Sequence, residues 1–420
     1  MKKAKDSKIL ITENDPTPIV GDFQSYLTYL ATHPIKLTKT KGYLTKKDLL
    51  AIYPLMKCDT RDVSQHNSQL DYPLLHLFYN LSLILDFFKI KRTQSTATAI
   101  IQKEQIDVFM KMTATEQYVT LLDAFWMDAD WEELQGEKWG VAPANINILT
   151  EALQDIPADY EIDLSQYEEI EHAVNRYGQF FFYFAYFGFW RFSLDLERSN
   201  VPSRPYCTIP KSITLTLLFT KIYRELYESW DPYKGMRGNQ YFGLFDALFN
   251  LPGEFEEEEE EEIESLSELL RPFLSKGEFT SILKKKQPVY IEGTYLLKVM
   301  LSSSCWRTLQ LSSDHTLLEL HDLIQDVFDF DDDHLYAFYM DGKKFSKSCY
   351  NSPMDSHGPF VDDAEIGKLE LYQGQNFLYL FDFGYEWTFK IQVVEIIEEN
   401  KVSEPQIIEV FGDAPEQYSW

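Results

Sequence analysis

Hydrophobic periodicity predicts one clear arrangement of elements, close to the C-terminus. Apolar runs and alternating apolar positions predict five strands, over 295–301, 306–311, 336–340, 377–383 and 387–396. Between the second and third strands, leucine, isoleucine and valine recur at helical spacing, which predicts an amphipathic helix over 317–328. The C-terminal region is therefore predicted to mix strands and one helix in the order hairpin, helix, strand, hairpin.

The N-terminal half has a mostly helical pattern instead. Three amphipathic helices are predicted, over 46–56, 104–110 and 115–126. The third has a candidate N-cap at Thr113 or Thr115. A further helix over 72–88 is apolar nearly all round and should lie at the centre of the fold. The basic turn, the short strand (96–101) and the helix that follow it indicate a winged-helix-like unit.

Together these patterns predict an α+β protein. An α-rich N-terminal region with winged-helix-like elements precedes a C-terminal domain whose element order is β-grasp-like (ubiquitin-like). In the N-terminal region a strand-then-helix pattern recurs, so a structural duplication is one interpretation. The three copies of this pattern lie at 36–56, 96–110 and 213–227. The aromatic run 180–190 is interpreted as a buried helix or strand pair.

Composition divides the chain into four segments. They are an extended lead-in (1–20), the α-rich region (21–253, which could hold two subdomains), an acidic linker with a short helix (254–287) and the β-grasp-like domain (288–420). Residues 256–262 are seven consecutive glutamates that repel one another and bury nothing. A solvated linker is the main interpretation of this run. The alternative is an acidic decoy that competes with nucleic acid for a basic surface.

Charge and cysteine content narrow the functional classes. The net charge of −28 on 420 residues repels phosphate backbones as a whole, although a local basic patch could still bind nucleic acid. The four cysteines include no CxxC pair, which argues against a zinc ribbon and favours a reducing cytoplasm. The run 180–190 is too short to span a bilayer, and the N-terminus lacks a signal-peptide pattern. We therefore predict a cytoplasmic protein without membrane contact.

Several separated blocks of the C-terminal region match one known family pattern in order. The blocks cover 295–299, 306–309, 320–325, 331–335 and 381–384. Eight motif residues stand in or beside them: Trp306, Arg307, His321, Asp333, His334, Asp382, Gly384 and Trp387. The pattern, over about residues 290–397, resembles the plasmid pRiA4b ORF-3-like family. The resemblance implies a β-grasp-type domain of bacteria and mobile elements, with no established biochemical role.

The chain departs from this family pattern at three positions. Tyr385 stands where the family usually has aspartate, while Tyr336 and Phe389 stand where it usually has histidine. Some relatives are described as resolvase-like passengers of insertion elements. Strand cleavage needs several cations around the phosphate, and residues 290–420 contain a single arginine, Arg307. Recombinase chemistry is therefore not expected, and no catalytic residue is assigned.

Two sets of side chains are candidate sites. His321, His334, Asp331 and Asp333 could hold a metal, although the tight spacing of motifs such as HExxH is absent; the alternative is that the aspartates only turn the chain. A second set of basic residues could contact nucleic-acid phosphates: Lys39, Lys41, Lys47, Lys91 and Arg92. Against base reading, the helix 72–88 has almost no polar residues.

Three functional hypotheses remain. The first is a non-enzymatic interaction or adaptor protein with an unknown protein partner and no cofactor. The second is a DNA-associated accessory or regulatory protein of mobile-element ancestry. The third is a metal-dependent enzyme. A ubiquitin-like modifier is not expected, because the sequence ends in Gln417-Tyr418-Ser419-Trp420 without a diglycine.

Overall fold

The structure is a computed structural model, and it divides into two compact units, each with its own hydrophobic core. One unit comprises Met1–Gly235 with Glu257–Lys285, and the other Met236–Glu256 with Lys286–Trp420. The residues that it describes are 8–59, 68–92, 96–136, 153, 155–167, 178–195, 210–229, 265–283, 290–346, 348–355, 358–398 and 401–418. The glutamate run 256–262 lies outside them.

The described residues of the first unit form helices and six short strands. Its described helices are α1 Ile19–Thr32, α2 Lys46–Ile52, α3 Pro73–Ile84, α4 Lys103–Met110, α5 Ala114–Asp123 (continued by a π-helical turn, Ala124–Asp128), α6 Trp131–Gln135, α7 Gly178–Tyr186, α8 Leu217–Glu228 and α9 Leu266–Leu270. Its strands are β1 Lys36–Leu37, β2 Phe88–Arg92, β3 Ala97–Ile101, β4 Glu161–Asp163, β5 Trp190–Leu194 and β6 Pro210–Leu215. Each of the three predicted strand-then-helix segments contains a strand followed by a helix.

The six strands form two three-stranded sheets with the same plan. Their orders are β1-β3-β2 and β4-β6-β5, so the last strand lies in the middle and pairs antiparallel with both others. A helix precedes each hairpin, α3 before β2-β3 and α7 before β5-β6. Another helix follows each hairpin, α4 and α8. The first unit therefore repeats one supersecondary arrangement.

Helices α3 and α7 lie in the core and pack against each other. The predicted helix 72–88 is shorter in the structure, because Asp86 adopts a left-handed backbone conformation (φ 57°) and strand β2 begins at Phe88. Of the two alternatives for the aromatic run 180–190, the structure shows the buried helix, since α7 extends to Tyr186 and only the first residue of a strand, Trp190 of β5, lies in the run. Each phenylalanine that this run buries contributes roughly 1.5–3 kcal/mol of transfer free energy.

The described residues of the second unit form a seven-stranded antiparallel sheet and one long helix. Its elements are β7 Thr294–Ser302, β8 Cys305–Ser312, α10 Leu317–Phe328, β9 Tyr336–Tyr339, β10 Cys349–Asn351, β11 Asn376–Phe381, β12 Trp387–Ile397 and β13 Gln406–Phe411. The strand order is β10-β9-β11-β12-β7-β8-β13. The mixed α+β class predicted from the sequence is confirmed, and the predicted helix 317–328 has the predicted bounds. Strands β10 and β13 were not predicted.

Helix α10 is well specified by its sequence. Thr316 Oγ1 accepts from the backbone N–H of Glu319, and the Glu319 carboxylate accepts from that of Thr316 over 2.7 Å, which forms a capping box. Asp329 ends the helix in a left-handed conformation (φ 57°). The apolar face of α10 covers one side of the sheet with the core residues Leu317, Leu320, Ile324 and Phe328. Among the described helices of both units, none has the length and apolar content that a bilayer crossing requires.

Candidate functional site

A buried hydrogen-bond chain links helix α10 to strand β11. Gln325 donates through Nε2 to the hydroxyl oxygen of Tyr379 over 2.7 Å, and this hydroxyl lies 2.6 Å from Nδ1 of His321. Because the oxygen accepts from Gln325, its own proton points at His321 Nδ1, and the neutral imidazole then carries its proton on Nε2. All three side chains are buried. The chain of donors therefore selects one tautomer of His321.

His321 also contacts the loop that follows α10. Its Nε2 lies 3.1 Å from Oδ1 of Asp332, but without the alignment of a hydrogen bond, so the contact is mainly electrostatic. Burial lowers the pKa of His321, and Asp332 opposes this shift less strongly. The imidazole is therefore neutral near pH 7.

The two tyrosines beside His321 are held in their protonated form. Burial raises the pKa of Tyr379 well above its ordinary value and also raises the pKa of Tyr336. The Tyr336 ring stacks on His321 with 3.6 Å between the ring centroids. A phenol that keeps its proton is a poor nucleophile. The contacts of this cluster hold α10 to the sheet by hydrogen bonding and stacking.

Two of the departures from the family pattern lie at this same cluster. Tyr336 covers one side of His321, and the Phe389 ring lies 5.5 Å from Tyr379 and 4.9 Å from Phe328 between centroids. Aromatic rings therefore occupy both positions at which the resemblance implied histidine. Neither ring can donate a nitrogen to a ligand.

A second polar cluster lies on the surface, on the same loop. His334 Nδ1 lies 2.6 Å from Oδ1 of Asp333, and its Nε2 lies 3.8 Å from Oδ2 of Asp382. The Tyr418 hydroxyl, near the C-terminus, lies 3.2 Å from both Asp382 Oδ2 and His334 Nδ1. The hydrogen bond with Asp333 raises the pKa of His334, and Asp382 adds to this shift. The same hydrogen bond lowers the pKa of Asp333.

The structure does not bring the four predicted metal ligands together. His321 lies inside the unit, Asp333 and His334 lie on its surface, and the backbone N–H of Asp331 donates to the Gln417 side chain over 2.6 Å. In the part of the chain that the structure describes, no group of three or more histidine, cysteine, aspartate or glutamate side chains is arranged to hold a metal ion. In the loop 331–334, Asp332 instead contacts the buried His321, whereas Asp333 pairs with the exposed His334.

Asp382, Gly384 and Trp387 shape the end of the β11-β12 hairpin. Asp382 is buried with φ 53°, and its Oδ1 accepts from the backbone N–H of Gly384 over 2.8 Å and of Tyr385 over 3.2 Å. The Trp387 ring packs edge-on against Phe330, with 4.9 Å between centroids. These motif residues therefore have structural contacts that account for their positions.

Arg307 is a buried cation that joins three parts of the unit. Its Nη1 donates to the carbonyl oxygens of Trp306, Phe411 and Gly412 over 3.0–3.1 Å, and its Nε to that of Val327 over 3.2 Å. The guanidinium also lies over the Phe328 ring, 4.5 Å from its centroid. It thus ties the last turn of α10, whose carbonyl end favours a cation, to the end of β13.

The predicted nucleic-acid contacts lie around the first three-stranded sheet. Lys39 and Lys41 stand in the exposed turn after β1, Lys47 in the first turn of α2, and Lys91 with Arg92 at the end of β2. The predicted recognition helix, α3, is buried along most of its length. It is a core helix, and it does not present a surface to a DNA groove.

Sequence reasoning missed Gln325, Tyr379 and Tyr418 as members of these clusters. A signal for the inner cluster was present, because His321 and Gln325 are four residues apart on the apolar face of α10. Two polar residues on an apolar face indicate a buried hydrogen-bonding pair. Tyr418 carried no comparable signal, since its contacts depend on how the chain continues after the unpredicted strand β13.

The fold and its motif residues place the second unit in a class of antiparallel α+β domains with one covering helix. Residues 294–417 match the family model described as plasmid pRiA4b ORF-3-like protein, which confirms the resemblance over this region. Among solved structures, the chain is similar to the crystal structure of a protein of unknown function, MM3350, from Methanosarcina mazei Go1. The identity is 28% over 30% of this chain and 75% of that chain, with a TM-score of 0.26. No curated protein matches the chain significantly.

Proposed function

We propose that this protein is a non-enzymatic interaction or adaptor protein that docks a protein partner along strand β13. The observation that carries the proposal is the character of this strand. β13 stands at the end of the sheet order and pairs with β8 only, and all six of its residues are exposed. Four of them are large apolar residues: Ile407, Ile408, Val410 and Phe411.

An exposed apolar edge strand is a template for another strand. Its outer N–H and C=O groups pair with no strand among the described residues, and they can supply the main-chain hydrogen bonds of β-augmentation. Natural edge strands are commonly short or rich in lysine and proline, which prevents such pairing. β13 has six residues and a single charge, Glu409. A partner segment would cover this apolar surface while extending the sheet.

Contacts within the second unit also order strand β13 in the absence of a partner. Arg307 fixes the carbonyls of Phe411 and Gly412. On the other side of the strand, the Phe411 ring stacks on Trp306 with 5.2 Å between centroids, and Lys298 Nζ lies 3.5 Å from the centre of the same indole. A strand ordered in advance lowers the entropy cost of binding.

For the fold we further infer a tandem of winged-helix-like modules followed by a β-grasp-like domain. In support, the first sheet joins the strand after α1 to the second strand of the β2-β3 hairpin, and the second sheet repeats this order with β4, β5 and β6. Helices α3 and α7 then hold the place of recognition helices, yet they pack on each other. Such modules suit a scaffold better than a reader of base edges. In the second unit, β7 and β12 lie side by side beneath α10, the position of the central strand pair of a β-grasp, although these two strands are antiparallel here and those of a β-grasp are parallel.

A charge placed on the edge strand tests the docking proposal. Valines of similar exposure stand in β13 and in helix α4, Val410 at 57% and Val108 at 52%. Full-length wild-type, V410E and V108E proteins would serve as baits in a nuclease-treated lysate of the native host, and captured proteins would be identified by mass spectrometry. We expect one partner at a fixed ratio to the wild-type and V108E baits, and its loss from V410E.

A photo-crosslinker at position 408 then locates the contact. It should join the partner to β13 in the wild-type background. Equal capture by V410E, or crosslinks that form only at sites distant from β13, would overturn the proposal.

A further inference from the structure

Four acidic side chains stand in and around the exposed strand β13. Glu404 precedes the strand, Glu409 lies within it, and Asp413 and Glu416 follow it. All four are exposed, and none of them forms an ion pair or a hydrogen bond with another described residue. The strand and both of its flanks therefore carry negative charge that no neighbouring cation balances.

The last turn of helix α10 adds charge of the same sign. Arg307 donates to the carbonyl of Val327 in this turn and also to the carbonyls at the end of β13, so the two segments lie close together. Asp326 lies in the turn and Asp329 directly after it, and both are exposed. A chain that pairs with β13 would therefore meet carboxylates on the strand, on its flanks and on the adjoining helix turn.

The basic residues closest to β13 in the fold are held by other groups. Strands β7 and β8 and the segment 401–418 contain three of them. Arg307 is buried against backbone carbonyls, and Lys401 Nζ lies within 3.0 Å of two carboxylate groups outside the strand. Lys298 lies over the Trp306 indole, two strands inward from β13. Positive charge that pairs with the carboxylates of β13 has to come from a partner.

The strand register shows where a partner would need its cation. Val410 stands opposite Arg307, which faces helix α10. Glu409 and Phe411, on either side of Val410, therefore point to the opposite face of the sheet. A strand paired with β13 would place a cation beside Glu409 and apolar residues beside Phe411 and Val410. Opposite charges directly across two strands stabilise the pairing, and like charges destabilise it.

We infer that the occupant of β13 is a basic, apolar strand segment of another protein, with lysine or arginine opposite Glu409. This partner chemistry rests on the docking proposed for β13 and specifies it further. A second copy of this chain fits the same strand poorly. Pairing β13 with itself would bring two sets of carboxylates together, in a chain whose net charge is already −28.

Selection of peptides tests this chemistry on the full chain. Phage-displayed random octapeptides would first be depleted on the I407S/V410S variant, which lacks two apolar side chains of β13 and keeps the charge of the wild type. The remaining phage would then be selected on the wild-type protein. We expect the selected peptides to be rich in apolar, β-branched residues and to have a net positive charge, because both features match β13.

Charge reversal at Glu409 then tests the pairing itself. The affinity of a selected peptide would be measured by fluorescence anisotropy at about 150 mM salt, where charges more than about 8 Å apart are largely screened. The E409K variant should bind it roughly 3- to 30-fold more weakly, because a like-charge pair replaces an opposite-charge pair. The control E395K makes the same change in net charge three strands away, in β12, and should stay within about twofold of wild type. A peptide whose cation is replaced by glutamate should prefer E409K to the wild type.

The outcomes separate this inference from the docking proposal. If no peptide remains after depletion, β13 docks no strand and both fail. If the β13-dependent peptides are neutral or acidic, or bind the wild type and E409K equally, docking stands and the basic partner is wrong. Dimers of the wild-type protein in sedimentation experiments, abolished by I407S/V410S, would overturn the inference in favour of self-pairing.

Discussion

The buried chain Gln325–Tyr379–His321 gives the sharpest prediction about stability. Replacing Tyr379 with phenylalanine removes one oxygen atom and changes the packing little. It leaves two buried groups without a partner, the Gln325 amide and Nδ1 of His321. An unsatisfied buried polar group costs about 1–3 kcal/mol, so with two such groups the Y379F variant should lose roughly 2–6 kcal/mol of unfolding free energy in the second unit.

Native-state hydrogen exchange can measure this loss inside the full chain. The amides of β11 and β12 report the opening of the second unit, and exchange detected by mass spectrometry assigns the change to those strands. The matched control is Tyr350→Phe in β10, because Tyr350 is half-buried and its hydroxyl forms no hydrogen bond with another described residue. Its free energy of opening should change by less than about 0.5 kcal/mol.

A double-mutant cycle then tests whether the three groups act together. Once Gln325→Leu has removed the donor, Y379F should cost less than it does in the wild-type background, because fewer groups are left unpaired. Strictly additive effects, or a Y379F loss no larger than that of Y350F, would refute the assignment of a coupled buried chain.

Three further predictions concern histidine and arginine side chains of the second unit. Burial lowers the pKa of His321, so as pH falls this histidine takes up a proton in the unfolded chain before it does in the folded one. The free energy of unfolding should therefore decline below about pH 6.5, by up to about 1.4 kcal/mol per pH unit. In urea titrations, the H321N variant should lack this decline. An R307K variant keeps the charge but cannot reach all four carbonyls, so the amides of β13 should exchange at least about tenfold faster while those of β11 change little. By NMR titration, His334 should have a pKa above the usual 6.5, and D333N should lower it.

The sequence predicted elements best where one periodicity dominated. The capping residues Thr316 and Glu319 and a clean apolar face defined α10 to the residue. Strand β13 was not predicted because none of its residues enters the core, and its sequence therefore does not alternate between apolar and polar positions. Its position depends on pairing with β8 and on Arg307, neither of which is a local signal. Helix α3 was predicted too long because the turn at Asp86 has no glycine or proline to mark it.

The candidate sites, like the secondary structure, could be predicted from the sequence only in part. The motif residues were found from the family resemblance, but their roles depend on contacts between distant segments. His321 lies in α10 and His334 thirteen positions later in the loop after this helix, yet one is buried and neutral while the other is exposed with a raised pKa. Residue type alone allowed a single metal site, while the spacing argued against one and left the alternative that the aspartates only turn the chain. Tertiary structure separates these groups, because Asp332 contacts the buried His321 while Asp333 pairs with the exposed His334.

The proposed docking edge follows from how each unit uses its apolar residues. In the first unit, α3 and α7 are apolar nearly all round, and packing them together satisfies both helices. In the second unit, α10 covers one side of the sheet, and β13 contributes no residue to the core beneath this helix. A protein strand would therefore bind at an edge that the core does not need. V410E should then lose partner capture while both units keep their folds, and a V410E protein with an unfolded unit would instead attribute the loss of capture to folding.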